Sequence, residues 1–423
     1  MNDCRQRIRP IHLLLALALC AGLVAPDSAT AEGRRARRRT AVVDAPPEPH
    51  LYSSRNFQVM TDLPADQARE LLDRLETMIK LVSSYYGRPN TRPIEMFVFD
   101  DFGHWKEDQL ARLAPEGVAM VRGGGGLTIT QRISSGNAFL ARSVVYAGSD
   151  HGTPQHEAVH AYCGHAFGRT GPVWYSEGMA EVGNYWREND KSVNADPRII
   201  EYLKSQDPRA LDSIVNNPLE ATGDSWQNYA WRWALCHLLG FNENYTKRFK
   251  PLGLALLNGQ NADFWEVYGS QAQEIEFEYR LFLKDVEVGY RCDLASWDWK
   301  TRFRTLRPNR QVRATVRADR GWQASRLNVT SGTEYTCAAT GKISLSKEKA
   351  EDSSDDEGEA QDAVLLGVIM QDYQLSDPFE IPLDGSFSPP IDGQLYLRCR
   401  DSWGSLGDNR GTLSVELGLA SDR

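Results

Sequence analysis

Residues 153–181 read TPQHEAVHAYCGHAFGRTGPVWYSEGMAE, and the reading of the chain works outward from this stretch. His156 and His160 are four residues apart. On an α-helix that spacing stacks both imidazoles on one face, where they can ligate a single ion. Thr153 is a good N-cap and Pro154 suits the first helical turn, so a helix is predicted to begin where the chemistry needs one. Glu157 lies beside the pair, placed to take a proton from a metal-activated water. Ala158, Val159 and Tyr162 supply apolar surface for the other faces.

The turn residues Gly171 and Pro172 let the chain fold back into a second predicted helix, on which Glu177 and Glu181 are again four apart. A catalytic zinc needs three protein ligands and one open position. One of these carboxylates supplies the third ligand, while the other accepts the free ring N–H of a ligand histidine and sets its tautomer. A three-histidine site that includes His165 would need five residues after His160, with glycine third among them. Only four intervene, Ala161 to Gly164, so His165 reads as a helix-end histidine. Cys163 reads as a small buried apolar residue. His151 and His237 read as structural.

HEAVH at 156–160 followed by WYSEGMAE at 174–181 resembles the gluzincin metallopeptidases, and most closely the bacterial peptidase MA-like group, which carries HExxH and then W-x-x-E-G-x-A-E. The resemblance spans about residues 51–290 and implies an α+β zincin-like domain that hydrolyses peptide bonds in a peptide or protein substrate. It implies that His156, His160 and Glu177 are zinc ligands, that Glu157 is the general base and that Glu181 supports a ligand histidine. A later block, YAWRWAL at 229–235, resembles the family's tyrosine-bearing helix and implies that Tyr229 donates to the oxyanion.

Around this core the patterning is regular. Residues 56–61 and 94–99 read as strands. Between them, Leu71, Leu72, Leu75, Met78, Ile79 and Val82 form one face of a helix that opens at Asp62 and Pro64 and closes near Gly87. The glycine run 123–126 is not followed by Gly-Lys-Ser/Thr, so it reads as a loop entering the strand 127–130 rather than a phosphate loop. Residues 150–290 are mostly helical in character. After Trp299 the period becomes two, with strands expected at 326–329, 335–338, 363–370, 394–399 and 412–417, the pattern of an all-β sandwich.

The block 393–411 resembles the calcium-dependent galactophilic lectin of bacteria, a jelly-roll, galactose-binding-like sandwich. That resemblance implies calcium ligands at Asp401, Ser405 (through its carbonyl), Asp408 and Asn409, an oxygen-only set suited to Ca²⁺, and cell-surface carbohydrate as a partner. The acidic stretch 348–362 reads as a solvated loop. Cys337 and Cys399 are candidates for a disulfide in an oxidising compartment.

The 423 residues are 41% hydrophobic and 25% charged, which is ordinary globular composition, and seven cysteines are too few for a disulfide scaffold. A formal charge of −9 argues against nucleic acid as a partner. Arg5, Arg7 and Arg9 precede an apolar run at 13–25, and Ala29-Thr30-Ala31 follows, so residues 1–31 read as a secretory signal peptide. The run is too short to span a bilayer, so no integral membrane segment is expected after cleavage, and the protein is expected to be exported. A basic, proline-rich tether at 32–50 then leads into the metallopeptidase-like domain at 51–296. A basic linker and first strand at 297–320 precede the sandwich at 321–423. Two classes of function compete: an exported zinc metallopeptidase whose β-module targets it, and a non-catalytic cell-envelope protein that uses the zincin fold as a scaffold for carbohydrate or calcium binding.

Overall fold

The computed structural model describes residues 48–135, 138–150, 152–216, 225–345 and 364–420. The expected signal peptide, residues 32–47 of the tether, His151 and the acidic loop lie outside them. Among the described residues no helix is long and apolar enough to cross a membrane. The chain is α+β and forms two compact units. One holds the described residues up to Glu188, with those of Asn216–Trp233 and Leu254–Gln260; the other holds Asn189–Val215, Ala234–Gly253 and the residues from Asn261 onward.

In the first unit a five-stranded sheet has the order β1-β2-β3-β5-β4. Its strands are β1 (His50–Ser53), β2 (Phe57–Thr61), β3 (Ile94–Phe99), β4 (Leu127–Ser135) and β5 (Ala138–Gly148). β2, β3 and β5 run parallel, and the edge strands β1 and β4 run antiparallel to their neighbours. Helix α1 (Ala65–Tyr86) joins β2 to β3 and buries the expected face, Leu71 through Val82. Gly87 closes it in the left-handed region, at φ +71°, with its N–H on the Ser83 carbonyl, a conformation open to glycine because it lacks a Cβ. Short helices α2 (Glu107–Leu110) and α3 (Pro115–Arg122) separate β3 from β4.

Helix α4 (Thr153–Phe167) is buried on nearly every side, so it shows none of the one-faced pattern of α1. Small residues let it approach its neighbours. A Cβ on Gly164 would lie 2.7 Å from Thr130 Oγ1 on β4 and 2.8 Å from Ser143 Oγ on β5. Helix α5 (Val173–Tyr185) covers the opposite side, and a Cβ on its Gly183 would lie 2.5 Å from Val159 Cγ2. A 2.8 Å hydrogen bond between the Tyr86 and Tyr175 hydroxyls ties α1 to α5, and Tyr162 donates to the Arg88 carbonyl at 2.7 Å. The start of α4 corrects one expectation. Thr153 is the first helical residue rather than the cap, and the N–H groups of Gly152 and Thr153 go to Asp150 Oδ1 at 3.0 and 2.8 Å. A carboxylate there satisfies two orphan amides and complements the helix dipole, which a threonine hydroxyl does less well.

The second unit carries two antiparallel sheets. One has the order β10-β9-β13-β7, with β11 on β9; its strands are β7 (Gln323–Val329), β9 (Leu365–Gln371), β10 (Gln374–Leu375), β11 (Phe379–Ile381) and β13 (Gly393–Cys399). The other has the order β12-β8-β14-β6, from β6 (Gln311–Arg317), β8 (Tyr335–Ser344), β12 (Asp384–Phe387) and β14 (Arg410–Leu419). Alternate residues of both sheets, among them Val312, Val316, Leu365, Ile369, Leu395 and Val415, share one core.

Within the second unit, side chains tie the stretch after residue 296 to the helix before it. Glu278, on helix Ala272–Asp285, accepts the Trp297 N–H at 3.0 Å and the Trp299 indole N–H at 2.7 Å, and the Phe277 ring lies 4.8 Å from that of Trp297. Those contacts join the helix to the β-rich part of the chain. The strand in the basic stretch is β6, which alternates buried and exposed residues, with Arg313 and Arg317 outward and paired with Glu416 and Asp319. Cys337 and Cys399 are buried free thiols rather than the expected disulfide pair.

Because Gly183 sets the approach of α5 to α4, Gly183→Val should destabilise the fold by about 1–3 kcal/mol, the usual cost of overpacking. Urea denaturation of the two proteins measures the difference.

Candidate metal centre

The contacts between α4 and α5 run in opposite directions along the two helices. Ser176 meets His160, Glu177 meets both histidines, and Glu181 meets His156, so the helices are antiparallel. The positively twisted turn at Gly168 (φ +71°) and Gly171 (φ +87°) reverses the chain within a few residues. Helical spacing then places Glu177 level with the gap between the two histidines.

The result is a tight cluster. His156 Nε2, His160 Nε2 and Glu177 Oε2 are separated by 3.1, 3.2 and 3.3 Å. All three residues are buried, and together they form a group able to hold a metal ion. His156 Nδ1–H donates to Glu181 Oε1 at 2.9 Å, and Asn184 steadies the other oxygen of Glu181 at 3.4 Å. His160 Nδ1 lies 3.2 Å from Ser176 Oγ. Each imidazole therefore engages a partner through Nδ1, which turns Nε2 toward the cluster.

Three acceptor atoms this close repel unless a proton or a cation lies among them. Burial pushes the His156 imidazole down, but hydrogen bonds to Glu177 and Glu181 hold it well above its ordinary value. Burial raises the Glu177 carboxyl, but His160 and the hydrogen bonds from both imidazoles hold it well below the usual carboxylate range. Two imidazole nitrogens and one carboxylate oxygen are also a donor set that suits zinc.

Glu157 sits next to this cluster, fully buried. Burial raises its carboxyl, with the His160 and His156 charges opposing. Its Oε2 is bound by Thr128 Oγ1 at 2.8 Å, while Oε1 has no hydrogen-bond partner among the described residues. Tyr229, on helix Trp226–Phe241, places its ring centroid 5.5 Å from that of His156. His165 stands apart from the cluster, accepting the Ser143 N–H on Nε2 at 3.0 Å, and burial pushes it down to about 4. Cys163 is a buried thiol pushed up to about 12 by desolvation. His237 is buried in the second unit between Phe241 and Phe282, and burial pushes it down to about 3.

The sequence reading missed Ser176, Asn184 and Thr128. Ser176 had a signal, since it adjoins Glu177 on the face that meets His160. Thr128 had none, because it reaches Glu157 from a strand 29 residues away.

Asp401, Ser405, Asp408 and Asn409 lie in the turn between β13 and β14. Asp401 Oδ1 accepts the Ser402 N–H at 2.8 Å, and Oδ2 is buried with no donor among the described residues. The Ser405 carbonyl accepts the Asp408 N–H at 3.3 Å, and Asn409, fully buried, donates to the Ala318 carbonyl at 3.2 Å. The buried Arg398 guanidinium donates to the Asp401 carbonyl and lies 3.8 Å from the centre of the Trp403 ring.

No protein-family model matches the sequence, and no curated protein does. Among solved structures the chain is similar to one described as "EclA N-terminal domain; PllA-like lectin", at 20% identity and a TM-score of 0.20, over 26% of this chain and 96% of that one.

The metal-free protein should take up one equivalent of Zn²⁺ in a calorimetric titration. His160→Ala or Glu177→Ala should abolish uptake, whereas Glu181→Ala should weaken it by about 10–100-fold, as expected for a group that only orients a ligand. His165 gives a separate pH signature. The folded chain keeps it neutral to about pH 4, while the unfolded chain protonates it near its ordinary 6.5. Its contribution to stability is thus complete above 6.5 and lost as the pH falls to about 4. Urea denaturation over that range should show a shallower acid-side loss in His165→Gln than in wild type.

Proposed function

We propose that this protein is a zinc-dependent metallopeptidase of gluzincin type, with the first unit as a zincin-like catalytic domain. The observation that carries the reading is the convergence of His156, His160 and Glu177 within 3.3 Å, beside a buried Glu157 whose Oε1 has no donor among the described residues. A zinc ion held by the three ligands would supply Lewis acidity, polarising a peptide carbonyl and making water a stronger acid.

The chain's own groups do the rest. Glu181 and Ser176 keep the two imidazoles turned inward with their Nε2 lone pairs available. Glu157 receives a proton on Oε1 from the attacking water as the water oxygen bonds to the carbonyl carbon. The C–N bond then breaks, and the same proton passes from Oε1 to the leaving nitrogen. Burial of Glu157 suits this exchange, since it brings the carboxyl's proton affinity closer to that of its reaction partners. Tyr229, with its ring beside His156, is the group we assign to the oxyanion. Export through the signal at residues 1–31, and a β-rich module that positions the enzyme on a carbohydrate or calcium-bearing surface, complete the reading.

Glu157→Gln preserves the shape of the site but cannot accept the proton. It should keep one bound zinc and lose hydrolysis of a mixed peptide library by at least about 100-fold. Turnover equal to wild type would remove Glu157 from the mechanism. A zinc-loaded wild-type chain that cleaves no peptide, yet binds glycans with calcium, would favour the non-catalytic alternative.

A further inference from the structure

The carboxylate of Glu157 is held from outside its own helix. Thr128 Oγ1, on the edge strand β4, lies 2.8 Å from Glu157 Oε2 and 2.8 Å from the Glu157 carbonyl oxygen. A hydroxyl has one proton to give, and an ionised carboxylate is the stronger acceptor, so Oε2 receives it. Gly126 packs against the start of α4 and bounds the carboxylate as well. A Cβ at that position would stand 2.5 Å from Thr153 Cγ2, 2.7 Å from Glu157 Cγ and 2.9 Å from Oε1. Bare backbone therefore occupies the place where a larger residue would push the carboxylate away. Gly126 immediately precedes β4, two residues before Thr128, so the wall and the hydroxyl come from one short stretch of chain.

We infer that Thr128 and Gly126 are positioning residues for Glu157: the edge strand holds one carboxylate oxygen and leaves the other directed at the reacting water. The inference rests on the metallopeptidase reading for its chemistry and on the strand contacts for its geometry. Reactions of this kind are sensitive to placement, and a displacement of about 1 Å in a reacting group can cost about 100-fold in rate. A glutamate left free on a helix surface has several rotamers to choose from. Pinned at Oε2 and bounded by Gly126, it keeps the one that serves the site.

The test uses the full chain with Thr128→Val, which keeps the β-branched shape that suits a strand and loses only the hydroxyl, and Thr128→Ser, which restores it. In the zinc-loaded protein, Thr128→Val should lower kcat by about 10–100-fold with KM and zinc content unchanged. Thr128→Ser should recover most of kcat. A second readout needs no turnover. With Co²⁺ in place of zinc, the visible absorption should change in Thr128→Val and match wild type in Thr128→Ser, and in a Glu157→Gln background the Thr128→Val change should disappear. A wild-type kcat in Thr128→Val, or a loss confined to KM or zinc content, overturns the inference. If the wild-type chain binds Co²⁺ but cleaves no peptide, the peptidase reading fails, and the spectra decide the positioning role: a Glu157-dependent change supports it and an unchanged spectrum overturns it. A chain that takes up no Co²⁺ overturns both.

Discussion

Two imidazole nitrogens and a carboxylate oxygen lie buried within 3.3 Å of one another, and the first unit is organised around holding them there. Buried charge is tolerated only where it is paired and hydrogen-bonded. Here Glu181, Ser176 and Asn184 provide those bonds from one helix, and Thr128 provides another from the sheet. Such a cluster needs elements that cannot move. Helix α4 is held between α5 and the sheet, with Gly164 and Gly183 setting the approach on its two sides.

The same demand explains why α4 lacks a polar face. An ordinary surface helix buries one stripe and wets the other. Here even Gln155, His156, Glu157 and His160 are buried, so the helix spends its polar residues inward. That placement destabilises a fold unless each group finds a partner, and among the described residues Oε1 of Gln155 and Oε1 of Glu157 have none. Of the two, the Glu157 oxygen adjoins the His156–His160–Glu177 cluster, and unsatisfied buried groups of this kind concentrate at sites that handle a ligand. The Asp62 carboxylate shows the opposite case. It is also buried, but the amides of Asp100 and Asp101, the Trp105 indole and the His104 ring occupy both of its oxygens, and it serves only to fix the chain after β3.

The second unit has its own buried carboxylate, Glu278, which binds Asn242, Asn244, Tyr245, Trp297 and Trp299. These bonds reach across residues that the sequence divides into a helical part and a β part. Composition and period both change near residue 299, which is why the reading placed a boundary there. Side-chain bonding ignored that change, since a buried carboxylate takes its donors from whatever chain supplies them. The arginines between 300 and 320 fit the expected linker and first strand, since alternate positions of β6 are apolar and buried and Arg313 and Arg317 form its outer face.

Much of the site was legible because it depends on local geometry. Helical spacing puts His156 over His160 and Glu177 over Glu181 whatever the rest of the chain does, and the turn between them is short. The helix α1 and strands β2 and β3 were legible for the same reason, since their apolar periods are set by the backbone repeat. What the sequence could not show was everything that depends on distance in space. Thr128 and Gly126 are about thirty residues from Glu157, and nothing in their immediate neighbours marks them. The sequence by itself determined which groups stand ready to bind a metal. Only the tertiary structure decided how Glu157 beside them is held, because a hydrogen bond from a neighbouring strand leaves no periodic trace along the chain.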